Sequence, residues 1–257
     1  MGKAVVQDVV RDPRLSELST QWTMLFRAHH GSPEEVNDAL RLMMLRYEGA
    51  VHRYLLKAVG DADAVRELDQ EFALRFLKGS FLKFDPSLGR FRDYVKRAVR
   101  NLMVDHYRGK GKTRHLDTAI EMSIVGGDGA AELDEQFTTA WRDELLDRAW
   151  NALESHERRT GNHFHSILKY RARNPELNSA QMAEKLSPVL GRPVTAGALR
   201  QLLQRSREQW VKYLIDEVKV SLKSPSRDEV EEELADLKLL ELCKPVLNRL
   251  SFDIEPK

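Results

Sequence analysis

Between Arg90 and Arg114 the chain sets Arg90, Arg92, Lys96, Arg97, Arg100, Arg108, Lys110, Lys112 and Arg114 against Asp93 and Asp105. Lysine and arginine neutralise phosphates and release condensed counterions, the main source of sequence-independent affinity for nucleic acid. Tyr94, His106 and Tyr107 are interleaved with them. An unpaired base stacks on such rings for about 1–3 kcal/mol. The combination suits a melted or single strand better than groove reading alone. Charge by itself also describes the solvated face of an ordinary amphipathic helix. Gly111-Lys112-Thr113 is not a phosphate loop, because position 106 is His106 and no strand precedes it.

A second set lies between Asn178 and Gln209. A short helix through Leu186, begun by Asn178 or Ser179, offers Met182, Ala183 and Leu186 to a core. Pro188, Gly191 and Pro193 make a turn, and Thr195 caps a long helix through about Val220 with Leu199, Leu202 and Leu203 inward. Two capped helices across a turn read as a helix-turn-helix, although this turn is longer than the usual three or four residues. Thr195, Arg200, Gln201, Gln204 and Arg205 remain for a DNA duplex. Arginine grips guanine and glutamine pairs with adenine, and the helix N-terminus enters the major groove first.

The elements that position these residues are helical throughout. The 257 residues are 42% hydrophobic, 32% charged and 7% aromatic, a composition that favours helix over sheet. Ser32-Pro33-Glu34-Glu35 is a capped helix start. Leu40, Met43, Met44, Tyr47, Val51, Tyr54 and Leu55 then repeat at helical spacing until Gly60. A second helix runs from Asp61–Asp63 to about Lys78 with Val65, Leu68, Phe72, Phe76 and Leu77 as its stripe. Phe84 to Gly89 is a turn, and the basic helix follows with Phe91, Val95, Ala98 and Leu102 on one side. Glycines at 109, 111, 126, 127 and 129 mark a linker. Beyond it come Trp141, Leu145, Leu146, Ala149, Trp150 and Leu153 on one helix, then a helix over about His163–Arg173. Pro225 precedes a last, acidic helix.

Net charge is only +1, so nucleic-acid contact rests on local patches. The single cysteine, Cys243, excludes an internal disulfide and a multi-cysteine metal site. No stretch approaches the roughly 20 apolar residues that span a bilayer. His156, His163 and His165 do not share a helix face, so no metal and no cofactor is expected. No catalytic arrangement stands out, and the chain reads as a non-enzyme without a small-molecule substrate.

The run from Phe91 through Tyr94, Val95, Ala98, Val99, Asn101 and Asp105 to Arg108 resembles region 2 of sigma-70 superfamily factors of the extracytoplasmic-function type. Tyr94 stands where such factors often carry tryptophan. Phe84-Asp85-Pro86 and Gly89-Arg90-Phe91 are similar to the entry into that family's promoter-reading helix, and Glu67-Leu68-Asp69-Gln70-Glu71 to its polymerase-docking segment. Leu190 to Gln201 resembles region 4 of a subgroup with a long turn and a helical C-terminal extension.

The resemblance implies an all-α chain of two small helical domains joined by a flexible linker. Its expected parts are a tail at 1–19, a region 2-like domain at 20–110, a linker at 111–134, a region 4-like domain at 135–222 and an acidic extension at 223–257. Glu67, Gln70 and Glu71 would meet the β′ clamp helices of core RNA polymerase. Arg90, Arg92, Tyr94, Lys96, Arg97, Arg100, Asn101, Asp105, Tyr107 and Arg108 would bind and melt the −10 element, with Asn101, Asp105 and Arg108 as a linked polar set. The second domain would read the −35 element and contact the β-flap. The acidic extension could fold onto the basic surface, and an anti-sigma protein is a further candidate partner. Such a factor acts in the cytoplasm without contacting a membrane. The competing reading is a stand-alone helix-turn-helix regulator that does not engage polymerase.

Overall fold

The structure, a computed structural model, describes residues 33–78, 90–111, 130–222 and 226–250. The tail, the Phe84–Gly89 turn, linker residues 112–129 and the Pro225 break fall outside the described residues. The fold is all-α: the described residues form nine helices and no strand. They divide between two compact units, one within Met1–Arg142 and Lys219–Pro225, the other within Asp143–Val218 and Ser226–Lys257.

The first unit holds α1 (Pro33–Val59), α2 (Ala62–Leu77), α3 (Phe91–Gly111) and the start of α4 (Ala130–Thr160). Gly60, at φ +72°, ends α1 in the left-handed conformation that a Cβ disfavours. Asp61 then caps α2, its carboxylate accepting from the Asp63 and Ala64 amides at 2.9 and 3.3 Å.

Helix α2 buries Val65, Leu68, Phe72 and Phe76, and α3 buries Phe91, Val95, Val99, Leu102 and Met103. Full burial of a large apolar side chain contributes roughly 1.5–3 kcal/mol, so these stripes fix which side of α3 faces inward. Leu77 corrects the expected stripe. It lies one residue, about 100° of helix, past the fully buried Phe76, and it is 52% exposed.

Aromatic rings close this core. Tyr47 lies 4.9 Å from Phe91 and 5.0 Å from Trp141, and Tyr54 meets the edge of Phe137 at 5.2 Å. Residues 130–134, read from sequence as the end of the linker, are therefore helical: Leu133, Phe137, Ala140 and Trp141 are the buried stripe of α4 on this unit.

The second unit contains the remainder of α4, then α5 (Phe164–Arg173), α6 (Ser179–Leu186) and α7 (Ala196–Val220, through Val218). Asn178 is the cap of α6, in a reciprocal capping box with Gln181. Ile167, Met182, Ala183, Leu186, Leu199 and Leu203 form one buried cluster shared by α5, α6 and α7.

The long turn after α6 is ordered. Ser187 Oγ donates to the Ala183 carbonyl at 2.7 Å and accepts from the Val194 amide at 3.0 Å. Leu190 and Val194 pack on the core, and Gly191 supplies the positive φ of 64° that reverses the chain. Thr195 Oγ1 accepts from the Ala198 amide at 3.2 Å, so the long helix is capped where its sequence indicates.

The C-terminal part, α8 (Arg227–Asp236) and α9 (Leu240–Leu247), belongs to this second unit. Val230, Leu234, Leu237, Cys243, Val246 and Leu247 are buried. Three of its acids are used locally. Glu229 completes a capping box with Ser226, Glu231 pairs with Arg227 at 2.7 Å, and Glu233 is 1% exposed. Arg249 reaches Glu208 of α7 at 2.6 Å. Burial pushes the Cys243 thiol up to about 12, so it stays protonated and packs as an apolar group.

His165 links this unit to pH. It is buried with its ring 5.9 Å from Trp150, and burial, helped by Lys169, lowers its pKa below the ordinary 6.5. A histidine depressed in the folded state supports stability above its unfolded pKa and withdraws it as pH falls through the folded value. The melting temperature of the second unit is expected to drop on acidification below about pH 6.5. His165→Phe should flatten that dependence in calorimetry. An unchanged slope in the variant would show that other groups carry it.

Candidate nucleic-acid and polymerase interface

Burial divides the basic helix into sides. Arg97, Asn101, Asp105 and Arg108 are exposed, and half-buried Tyr94 precedes them. At steps of three, four, four and three residues these positions make one ridge along α3, opposite the buried stripe. Tyr94 and Tyr107 have raised pKa values, chiefly through burial, so both phenols stay neutral and offer rings and hydroxyl donors.

The other cations are placed differently. Arg92 is only 7% exposed and packs within the unit, so it is removed from the expected DNA face. Arg90 is half-buried at the helix entry. Lys96 and Arg100 are held by α4: each reaches Asp134 at 3.1 Å, and Arg100 also donates to the Ala130 carbonyl at 3.0 Å. Their side chains are 24% and 21% exposed. The sequence showed the charge on both residues, but the acid they share, Asp134, lies on a later helix and has no local signal.

Helix α2 presents Glu67, Gln70 and Glu71 on its exposed side. Leu74 and Leu77, 49% and 52% exposed, continue the same face. These leucines were missed in the sequence because apolar residues next to a core stripe look like core. Glu67 lies 3.9 Å from His106 of α3, and Asp69 lies 2.6 Å from His52 of α1. Arg75 spans the two helices: its Nε donates to Glu71 at 2.8 Å and its Nη1 to Asp105 at 2.9 Å. Those bonds, Glu71's foremost, raise the Arg75 pKa and keep it charged. Asp105, expected in a polar set with Asn101 and Arg108 along its own helix, accepts from Arg75 and is thereby tied to α2 as well.

In the second unit Thr195, Arg200, Gln201, Gln204 and Arg205 are all exposed. Leu199 and Leu203 between them are buried, so Arg200, Gln201, Gln204 and Arg205 share the outer side of α7. Gln204 donates to Glu208 at 3.1 Å, and Glu208 has a lowered pKa from that bond and from Arg249. Among the described residues no group of three or more His, Cys, Asp or Glu could hold a metal. None of their helices is long and apolar enough to cross a membrane.

Residues 43–113 match the Sigma-70 region 2 family model. The match covers α2, α3 and most of α1, and so includes the ridge and the acidic face of α2. That segment is similar to region 2 of sigma-70 factors and takes in well under half of the 257 residues. No curated protein and no solved structure matches the chain. Within the region 2 segment, Lys96 and Arg100 are engaged by α4, whereas Arg97 and Arg108 lie on the exposed side of α3.

That separation is testable in the protein alone. Arg100→Ala removes the ion pair with Asp134 and the hydrogen bond to the Ala130 carbonyl and should destabilise the first unit by about 1–2 kcal/mol, the range for charged interactions after discounting for solvent. Arg97→Ala, on the exposed ridge, should stay within about 0.5 kcal/mol of the parent. Denaturant unfolding would contradict this division if the two variants proved equally stable.

Proposed function

We propose that this chain is a sigma factor of the extracytoplasmic-function type that works in the cytoplasm and performs no bond chemistry. It directs core RNA polymerase to promoters, with the first unit binding and melting the −10 element and the second reading the −35 element. The observation that carries this reading is the region 2 match over 43–113 coinciding with an exposed ridge of Tyr94, Arg97, Asn101, Asp105 and Arg108. Cations along the ridge attract the phosphate backbone, while the ring and amide are available to unpaired bases. Arg90, Lys96, Arg100 and Tyr107 flank the ridge and would join it at the DNA as the strand settles.

The α2 face suits polymerase docking. Glu67, Gln70 and Glu71 are a polar, acidic set, and Leu74 and Leu77 beside them are apolar area of the kind that protein interfaces cover. The β′ clamp helices are the proposed partner. In the second unit, Arg200, Gln201, Gln204 and Arg205 suit the edges of guanine and adenine in a major groove, with Thr195 at the entering end. A groove of about 510 Å³ with Trp150, Leu168, Trp210, Val211, Leu242 and Val246 in its lining offers that unit a surface for the β-flap. An anti-sigma protein remains a proposed partner of the whole chain.

The stand-alone regulator is the second reading, favoured by the helix-turn-helix having a buried core of its own. Affinity capture with purified core polymerase decides between them. A complex at micromolar protein, and transcription from a promoter library, are expected for the sigma reading; duplex binding with no polymerase complex would establish the regulator instead.

Within the sigma reading, Arg97→Ala and Arg108→Ala should each weaken binding to a melted strand at all sequences and reduce the salt slope by about 1. Arg200→Ala should lose about 1–3 kcal/mol of −35 discrimination and leave strand opening intact. Footprinting combined with permanganate reactivity reads the steps separately. Equal effects of both sets on one step would refute this allocation of roles.

A further inference from the structure

We propose that Arg75 is a positioning residue that couples polymerase docking on α2 to the promoter-reading ridge on α3. The inference rests on the functional reading above and adds a residue and a direction to it. Arg75 belongs to neither proposed contact set, yet its guanidinium touches one member of each: Glu71 Oε1 at 2.8 Å through Nε and Asp105 Oδ2 at 2.9 Å through Nη1. Glu71 is on its own helix four residues back, and Asp105 is thirty residues on. A planar guanidinium has fixed donor directions, so one group holds both carboxylates in a defined relation; a lysine ammonium lacks that fork.

The surroundings make the bridge responsive. The Arg75 side chain is 36% exposed, Glu71 47% and Asp105 54%, so each carboxylate is reachable by an incoming group. Surface pairs this exposed are weak as sources of stability. Their geometry still couples two sites when one guanidinium is shared. A basic group of the polymerase that takes Glu71 withdraws it from Nε. The guanidinium then turns its remaining donors to Asp105 and fixes that carboxylate on the ridge. Docking thereby pre-orders the strand-reading surface, and a bound strand favours docking in return, as linkage requires.

The test uses the full chain with core polymerase and a promoter. Wild-type binding and opening are measured first; failure there overturns the sigma reading and this inference with it. If wild type is active, Arg75→Ala should slow promoter opening about tenfold more than it weakens core affinity, within the usual span of coupling. Arg75→Lys, which keeps charge without the fork, should recover less than half of the loss on a logarithmic scale.

Glu71→Gln and Asp105→Asn should act non-additively on opening when Arg75 is present and additively in the Arg75→Gln background. Circular dichroism and melting temperature identify any variant that fails to fold, and for those the Lys and Gln variants carry the comparison. Equal losses in opening and core affinity, full rescue by lysine, or additivity with Arg75 in place would each overturn the coupling while leaving the sigma reading standing.

Discussion

The constraint on which the first unit depends is the burial of one side of a helix whose other sides are strongly cationic. Phe91, Val95, Val99, Leu102 and Met103 of α3 lie at 0–2% exposure. With that stripe fixed against the aromatic rings of α1 and α4, the azimuth of every other residue on α3 follows from helical geometry. The ridge is exposed because it is opposite the stripe. Arg92 is lost to the interior because it lies 100° from Phe91 on the packed side.

The same constraint explains why the start of α4 belongs to this unit. Tyr47 and Phe91 leave an aromatic face that Phe137 and Trp141 complete. Seating those rings brings Asp134, three residues before Phe137, to Lys96 and Arg100. A neighbouring carboxylate is thus a by-product of hydrophobic packing, and it engages Lys96 and Arg100, whereas Arg97 and Arg108 are exposed.

In the second unit the geometry is decided by polar pins on a small apolar core. Ser187 bonds to both sides of the long turn, and Leu190 and Val194 anchor it. The extra turn length, unusual for a helix-turn-helix, is accommodated without loosening α7. The C-terminal hairpin buries its own apolar stripe within this unit and uses its acids as caps and local pairs. Glu229, Glu231 and Glu233 thus have local structural roles.

Much was legible in the sequence because it is local. Helical periodicity identified the all-α class, the glycine at 60 and the cap at Thr195 marked ends, and the alternation of leucines with Arg200, Gln201, Gln204 and Arg205 assigned the outer side of α7; between Asn178 and Ser179 as cap of α6, the structure decided for Asn178. Residue types also identified the cationic helix. What the sequence could not determine was pairing between distant positions: Asp134 with Arg100, Arg75 with Asp105, and the closing of the first core by Trp141. Periodicity tells which residues share a face of one helix; which face meets which, and so which charge is satisfied, is decided only when the helices pack.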